Sequence, residues 1–116
     1  MTIKLYGIKN CDTVKKARKW LEQHAIDYQF IDHRIDGLDP LELQDWLARL
    51  GWEQLVNKRG TSYRALSDED KATLGPDTAA ALLTATPAMI KRPLLVHDDR
   101  LQLGFNAADY ARFFNQ

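Results

Sequence analysis

Apolar and polar residues change period several times along the chain, and each change marks an element. Ile3-Lys4-Leu5-Tyr6 alternates until Gly7 breaks the pattern, which predicts a short first strand. After a turn through Lys9 and Asn10, Val14, Ala17, Trp20 and Leu21 follow helical spacing from Asp12 to His24. Asn10, Asp12 or Thr13 is available to cap that helix. Asp27-Tyr28-Gln29-Phe30-Ile31 alternates again, and strand, helix, strand at this length predicts a βαβ unit with parallel strands. Cys11 therefore stands where a strand hands over to a helix.

The middle reads as helical. Asp39-Pro40 supplies a cap and a first-turn proline, Leu43, Trp46, Leu47 and Leu50 share a face, and Gly51 ends the helix. Asn57 to Thr61 is a polar loop, a short helix is expected after Ser67, and Gly75-Pro76 leads into a helix bearing Ala79, Leu82 and Leu83. Pro87 ends or restarts it. Pro93 to His97 and Arg100 to Gly104 flank Asp98-Asp99, which predicts a hairpin of antiparallel strands. Asn106 can cap a last helix with Asp109 three positions on, and Phe105 and Tyr110 occupy the staple positions around it. The expected fold is α/β: a four-stranded mixed sheet in one domain over residues 1–116, with a helical insertion at about 39–90 between a βαβ and a ββα half.

Charge narrows the function classes. Sixteen Lys plus Arg balance sixteen Asp plus Glu, so no global positive field is available to hold a nucleic-acid backbone. No apolar run approaches the roughly 20 residues that span a bilayer. The N-terminus lacks the pattern of a secretory signal, and a single cysteine is unlike a small secreted domain, so a cytoplasmic location is expected. His24, His33 and His97 are scattered and read as surface or packing residues, with no metal site expected. Trp20 and Trp46 lie at helical spacing with leucines and read as core, and Trp52 is taken with them.

The chemistry concentrates at Cys11. The free amides and dipole at a helix N-terminus favour a thiolate, the form in which cysteine is a nucleophile. Lys9 and Lys15 flank it within a turn, and Asp12 opposes them. A turn between strand end and helix start is also where α/β folds place ligands. Lone intracellular cysteines are more often buried packing residues, and this position is what argues otherwise.

Gly7-Ile8-Lys9-Asn10-Cys11-Asp12-Thr13-Val14-Lys15-Lys16-Ala17, Gly51-Trp52-Glu53 with Asn57, Arg59-Gly60-Thr61 with Arg64, and Pro87 with Ile90-Lys91-Arg92-Pro93 together resemble the ArsC/Spx family, most closely its YffB branch. The resemblance implies a thioredoxin-like fold, a reactive cysteine at position 11 and a cis peptide before Pro93 facing it. Of the three arginines that surround the cysteine in arsenate-reducing members, the middle one matches Arg92. The first aligns with Asn57 and the last falls near Leu103, leaving Arg59, Arg64 and Arg100 as neighbouring substitutes. The histidine and arginine that flank the cysteine in those reductases correspond to Gly7 and Lys15. Spx regulators carry a CxxC switch where this chain has Val14.

With no second cysteine, a disulfide at Cys11 must be resolved by an outside thiol, and glutathione is the abundant candidate. The expected activity is that of a glutathione-dependent thiol reductase, as the resemblance to YffB proteins implies. Cys11 is the expected nucleophile and Arg92 the anion clamp. Pro93 gives the peptide-binding edge, while Lys9, Asn10, Lys15 and Arg59 complete the expected glutathione site. Glutathione is expected as a co-substrate, with no tightly bound cofactor. Two alternatives stand beside this reading: arsenate reduction with a glutaredoxin partner, and a regulator that docks on RNA polymerase without thiol chemistry.

Overall fold

Strand β1 (Ile3–Gly7) is the spine to which the other strands attach in this computed structural model, which describes residues 3–115. It pairs in parallel with β2 (Gln29–Asp32) and antiparallel with β3 (Leu94–His97), and β3 pairs antiparallel with β4 (Arg100–Leu103). The sheet order is β2-β1-β3-β4. A βαβ unit followed by ββα in this order is the thioredoxin-like arrangement, with a helical segment between its halves. The chain divides into two compact units, one of residues 1–36 and 92–116 and the other of residues 37–91.

In the first unit, α1 (Asp12–Gln23) and α7 (Ala107–Phe114) cover one face of the sheet. Leu5 and Leu95 lie opposite each other in the ladder and share a core with Ala17, Trp20 and Leu21 of α1 and Tyr110 and Phe113 of α7. Burying a leucine side chain fully is worth about 1.5–3 kcal/mol, so these contacts orient both helices on the sheet. The hairpin turns at Asp98, whose φ of 57° is the left-handed geometry a two-residue turn requires. Asn106 caps α7 as its spacing predicts, accepting from the amides of Ala108 at 2.8 Å and Asp109 at 3.3 Å. Phe105 meets Tyr110 edge-on at 4.8 Å.

The second unit contains α2 (Pro40–Leu50), α3 (Trp52–Leu55), α4 (Thr61–Arg64), α5 (Asp68–Thr73), α6 (Ala79–Ala85) and a 3-10 turn at Pro87–Met89. Asp39 caps α2 through the Leu41 amide, and Ser67 caps α5 through that of Asp70. Short backbone bonds from Asn57 to the Met89 carbonyl and from Lys91 to that of Leu55, 2.7 Å each, close the unit on itself. Among the described residues no helix is long and apolar enough to cross a membrane.

Four elements differ from the sequence reading. The N-cap of α1 is Cys11 itself, not Asn10, Asp12 or Thr13. β2 starts at Gln29 rather than Asp27, because the Tyr28 hydroxyl is tied to α1: it accepts from Arg18 Nε at 3.0 Å and donates to Glu22 at 2.8 Å. The four-residue helices α3 and α4 were not expected. Gly51, at φ 86°, ends α2 and starts α3 at once, a reversal that leaves no room for a periodic pattern.

Candidate active site around Cys11

Between β1 and α1 the chain makes a tight turn in which the Cys11 amide donates to the Ile8 carbonyl at 3.1 Å. Gly7 makes the close approach of strand and helix feasible: a Cβ there would lie 2.7 Å from Val14 Cγ2. Val14 is fully buried, so the helix is seated directly on the end of the strand.

Cys11 keeps extended backbone geometry, φ −100° and ψ 126°, and is half-buried. Its carbonyl accepts the Lys15 amide at 2.9 Å, as an N-cap carbonyl does. The side chain makes no full capping hydrogen bond, yet the amides of Val14 and Thr13 act on the sulfur. Burial pushes the Cys11 thiol up. The Val14 amide, a hydrogen bond and the positive charge from Arg92, and the Thr13 amide outweigh that and hold it below its ordinary value.

Arg92 is half-buried and precedes Pro93 across a cis peptide bond. Pro93 is buried, and its carbonyl accepts from the Gly104 amide at 2.8 Å, which fastens this segment to the end of β4. Cys11 and Arg92 are thus joined within the first unit. Lys9, Asn10 and Lys15 are exposed around the same turn. Arg100 is committed elsewhere: its guanidinium donates to the Phe113 carbonyl and lies over the Phe113 ring, so it does not stand in for a missing anion-binding arginine. Arg59 and Arg64 are exposed in the second unit, where Asn57 Oδ1 accepts the Arg59 amide at 3.2 Å. Trp20 and Trp46 are buried as expected, while Trp52 is only half-buried, with the Lys58 ammonium over its ring.

Asp32 escaped the sequence reading, and His33, read there as a surface or packing residue, is packed beside the turn. Asp32 ends β2, is 4% exposed, and accepts the Lys9 amide at 2.9 Å. His33 follows it at 2% exposed, with its amide donating to the Gly7 carbonyl at 2.9 Å and its ring stacked on Tyr6. Burial, the largest effect, lowers the His33 pKa to about 4 against the opposing pull of Asp32, and the Arg92 charge adds to the lowering. The ring is neutral at physiological pH. The available signal was position, since both residues sit at the carboxyl end of the strand beside the cysteine turn.

The ArsC family model matches residues 6–113. The chain belongs to the ArsC family. A YffB protein of known structure is 44% identical, with 96% of this chain and 97% of that one covered and a TM-score of 0.92. An arsenate reductase (ArsC) related protein from Brucella melitensis, also of known structure, is 45% identical over 100% of this chain and 97% of its own, at a TM-score of 0.80. An uncharacterized protein of Haemophilus influenzae is 46% identical, covering 97% of this chain and 98% of the relative.

Proposed function

We propose that this ArsC family member is a single-cysteine thiol reductase that draws its electrons from glutathione. The observation that carries the reading is the placement of Cys11 as the N-cap of α1, where the first helix amides and the Arg92 charge lower its pKa and favour the thiolate. The Cys11 thiolate attacks one sulfur of a substrate disulfide, a new S–S bond forms to Cys11, and the other sulfur leaves as a thiolate that takes a proton from water. When the sulfur that Cys11 attacked is that of glutathione, a second glutathione thiolate then attacks the glutathione sulfur of the mixed disulfide, the bond to Cys11 breaks, and Cys11 leaves as the thiolate. With a glutathione mixed disulfide as substrate, the products are the reduced thiol and oxidised glutathione, and two glutathione electrons account for the reduction. Arg92 holds the sulfur anion or a glutathione carboxylate, and Lys9 and Lys15 add positive potential to the approach.

The test uses hydroxyethyl disulfide with glutathione. Wild type is expected to turn over and to give one glutathione adduct on Cys11 by mass spectrometry, while Cys11→Ser gives neither. Turnover retained by Cys11→Ser, or no adduct on wild type at neutral pH, would sink the proposal.

A further inference from the structure

Among the described residues, the buried side chains of charged or polar type are Asp32 and His33, neighbours in sequence beside the turn that carries Cys11. A buried carboxylate is costly unless hydrogen-bonded, so the bonds Asp32 makes show what holds it there. Oδ1 accepts the Arg34 amide at 2.8 Å, closing a local turn. Oδ2 accepts the Lys9 amide at 2.9 Å, a bond that crosses to the turn between β1 and α1. Burial pushes the carboxyl up, but the amides of Lys9, Arg34 and Ile35, with His33 nearby, hold it below the ordinary range. It is therefore an anion at neutral pH, the stronger acceptor for an amide.

The two ends of the Cys11 turn are held by the buried side chains of Ile8 and Val14. Gly7 is held through its carbonyl by the His33 amide, and Cys11 closes on Ile8 within the turn. Between them Lys9 and Asn10 are exposed. The Asp32 carboxylate is what anchors the middle of the turn.

We infer that Asp32 is the positioning residue for Cys11: through the Lys9 amide, its carboxylate keeps the sulfur in register with the first amides of α1 and with Arg92. This rests on the reading of Cys11 as an activated thiol and adds the residue that sets its activation.

The sign of one measurement separates positioning from direct electrostatics. A negative charge acting through space opposes a second negative charge, so deleting Asp32 would make thiolate formation easier. Deleting an anchor does the opposite, because the sulfur loses its alignment with Val14, Thr13 and Arg92. The titratable and charged groups nearby are Lys9, Asp12, Lys15 and Arg92 around the cysteine, and the neutral His33 with Arg34 and Asp36 around the carboxylate; Asp32→Ala and Asp32→Asn leave all of them in place.

The experiment is the pH dependence of iodoacetamide alkylation of the full chain as wild type, Asp32→Ala, Asp32→Asn and Asp36→Ala. Asp36 Oδ2 accepts the Asp32 amide at 2.9 Å, so that last variant disturbs the same corner without touching the Lys9 bond. Asp32→Ala is expected to move the midpoint upward and slow alkylation at pH 7 several-fold. Asp32→Asn, which keeps one acceptor oxygen, should shift it less, and Asp36→Ala should match wild type. If circular dichroism shows Asp32→Ala unfolded, Asp32→Asn is read in its place. An unchanged or lowered midpoint, or an equal shift in Asp36→Ala, overturns the inference. A wild-type midpoint at the ordinary free-cysteine value of about 8.5 overturns the functional reading itself, which distinguishes the two failures.

Discussion

Arg92 acts on the Cys11 thiol and helps hold its pKa below the ordinary value, although the two residues come from opposite ends of the chain. The geometry follows from the sheet: β3, which Arg92 precedes, runs antiparallel to β1, so the start of β3 lies beside the end of β1. Removing the guanidinium leaves the helix amides as the main support of the thiolate. Arg92→Ala is expected to raise the alkylation midpoint of Cys11 and lower disulfide turnover at least several-fold at pH 7. Arg92→Lys, which keeps charge but loses the planar fork, should fall between. Parallel alkylation and turnover assays check the pair.

Gly7 and Val14 form a second complementary pair. A methyl at position 7 meets a buried side chain at 2.7 Å, so Gly7→Ala should destabilise the fold by about 1–3 kcal/mol. Pairing it with Val14→Ala clears the obstruction, and the double variant should be more stable than the sum of the single effects implies. Urea denaturation of the four proteins measures the coupling, and strict additivity would contradict a direct clash.

The buried imidazole makes stability depend on pH. His33 titrates near 4 in the folded protein, against about 6.5 when unfolded, so folding favours the neutral ring. That contribution is full above pH 6.5 and is lost as pH falls toward 4, a change on the order of 3 kcal/mol. His33→Gln, which cannot take up the proton, should flatten the fall in urea midpoint across that window. A wild-type slope in the variant would assign the acid sensitivity elsewhere.

At the last helix, Asn106→Ala removes the acceptor for two first-turn amides and should cost about 1 kcal/mol. Thermal denaturation is the check, and disulfide turnover near the wild-type value is expected, because the cap makes no contact with the sulfur.

What the sequence showed and what it hid divide on physical grounds. The hairpin, the Asn106 cap with its Phe105–Tyr110 contact, and the α2 start at Asp39-Pro40 are written in adjacent residues and were legible. The start of β2 was hidden, because the alternation from Asp27 does not reveal that the Tyr28 hydroxyl is recruited by Arg18 and Glu22. The Cys11 cap was hidden because capping preferences favour oxygen side chains. The placement of Cys11 at a strand-to-helix turn, the centre of the candidate site, was still readable, since such a turn is a local pattern. Asp32 and His33 were not readable as part of it: a polar residue ending a strand looks like the start of a loop, and burial depends on what folds over it.

The groups that lower the Cys11 pKa come from both ends of the chain, so they are brought together in an order. While the protein is being synthesised, the first βαβ segment emerges well before the segment bearing Arg92, and the nascent chain carries Cys11 without its guanidinium. Non-local pairing of β3 with β1 must wait for that later segment. The complete set of groups that favour a thiolate at Cys11 is thus assembled only when β3 pairs with β1.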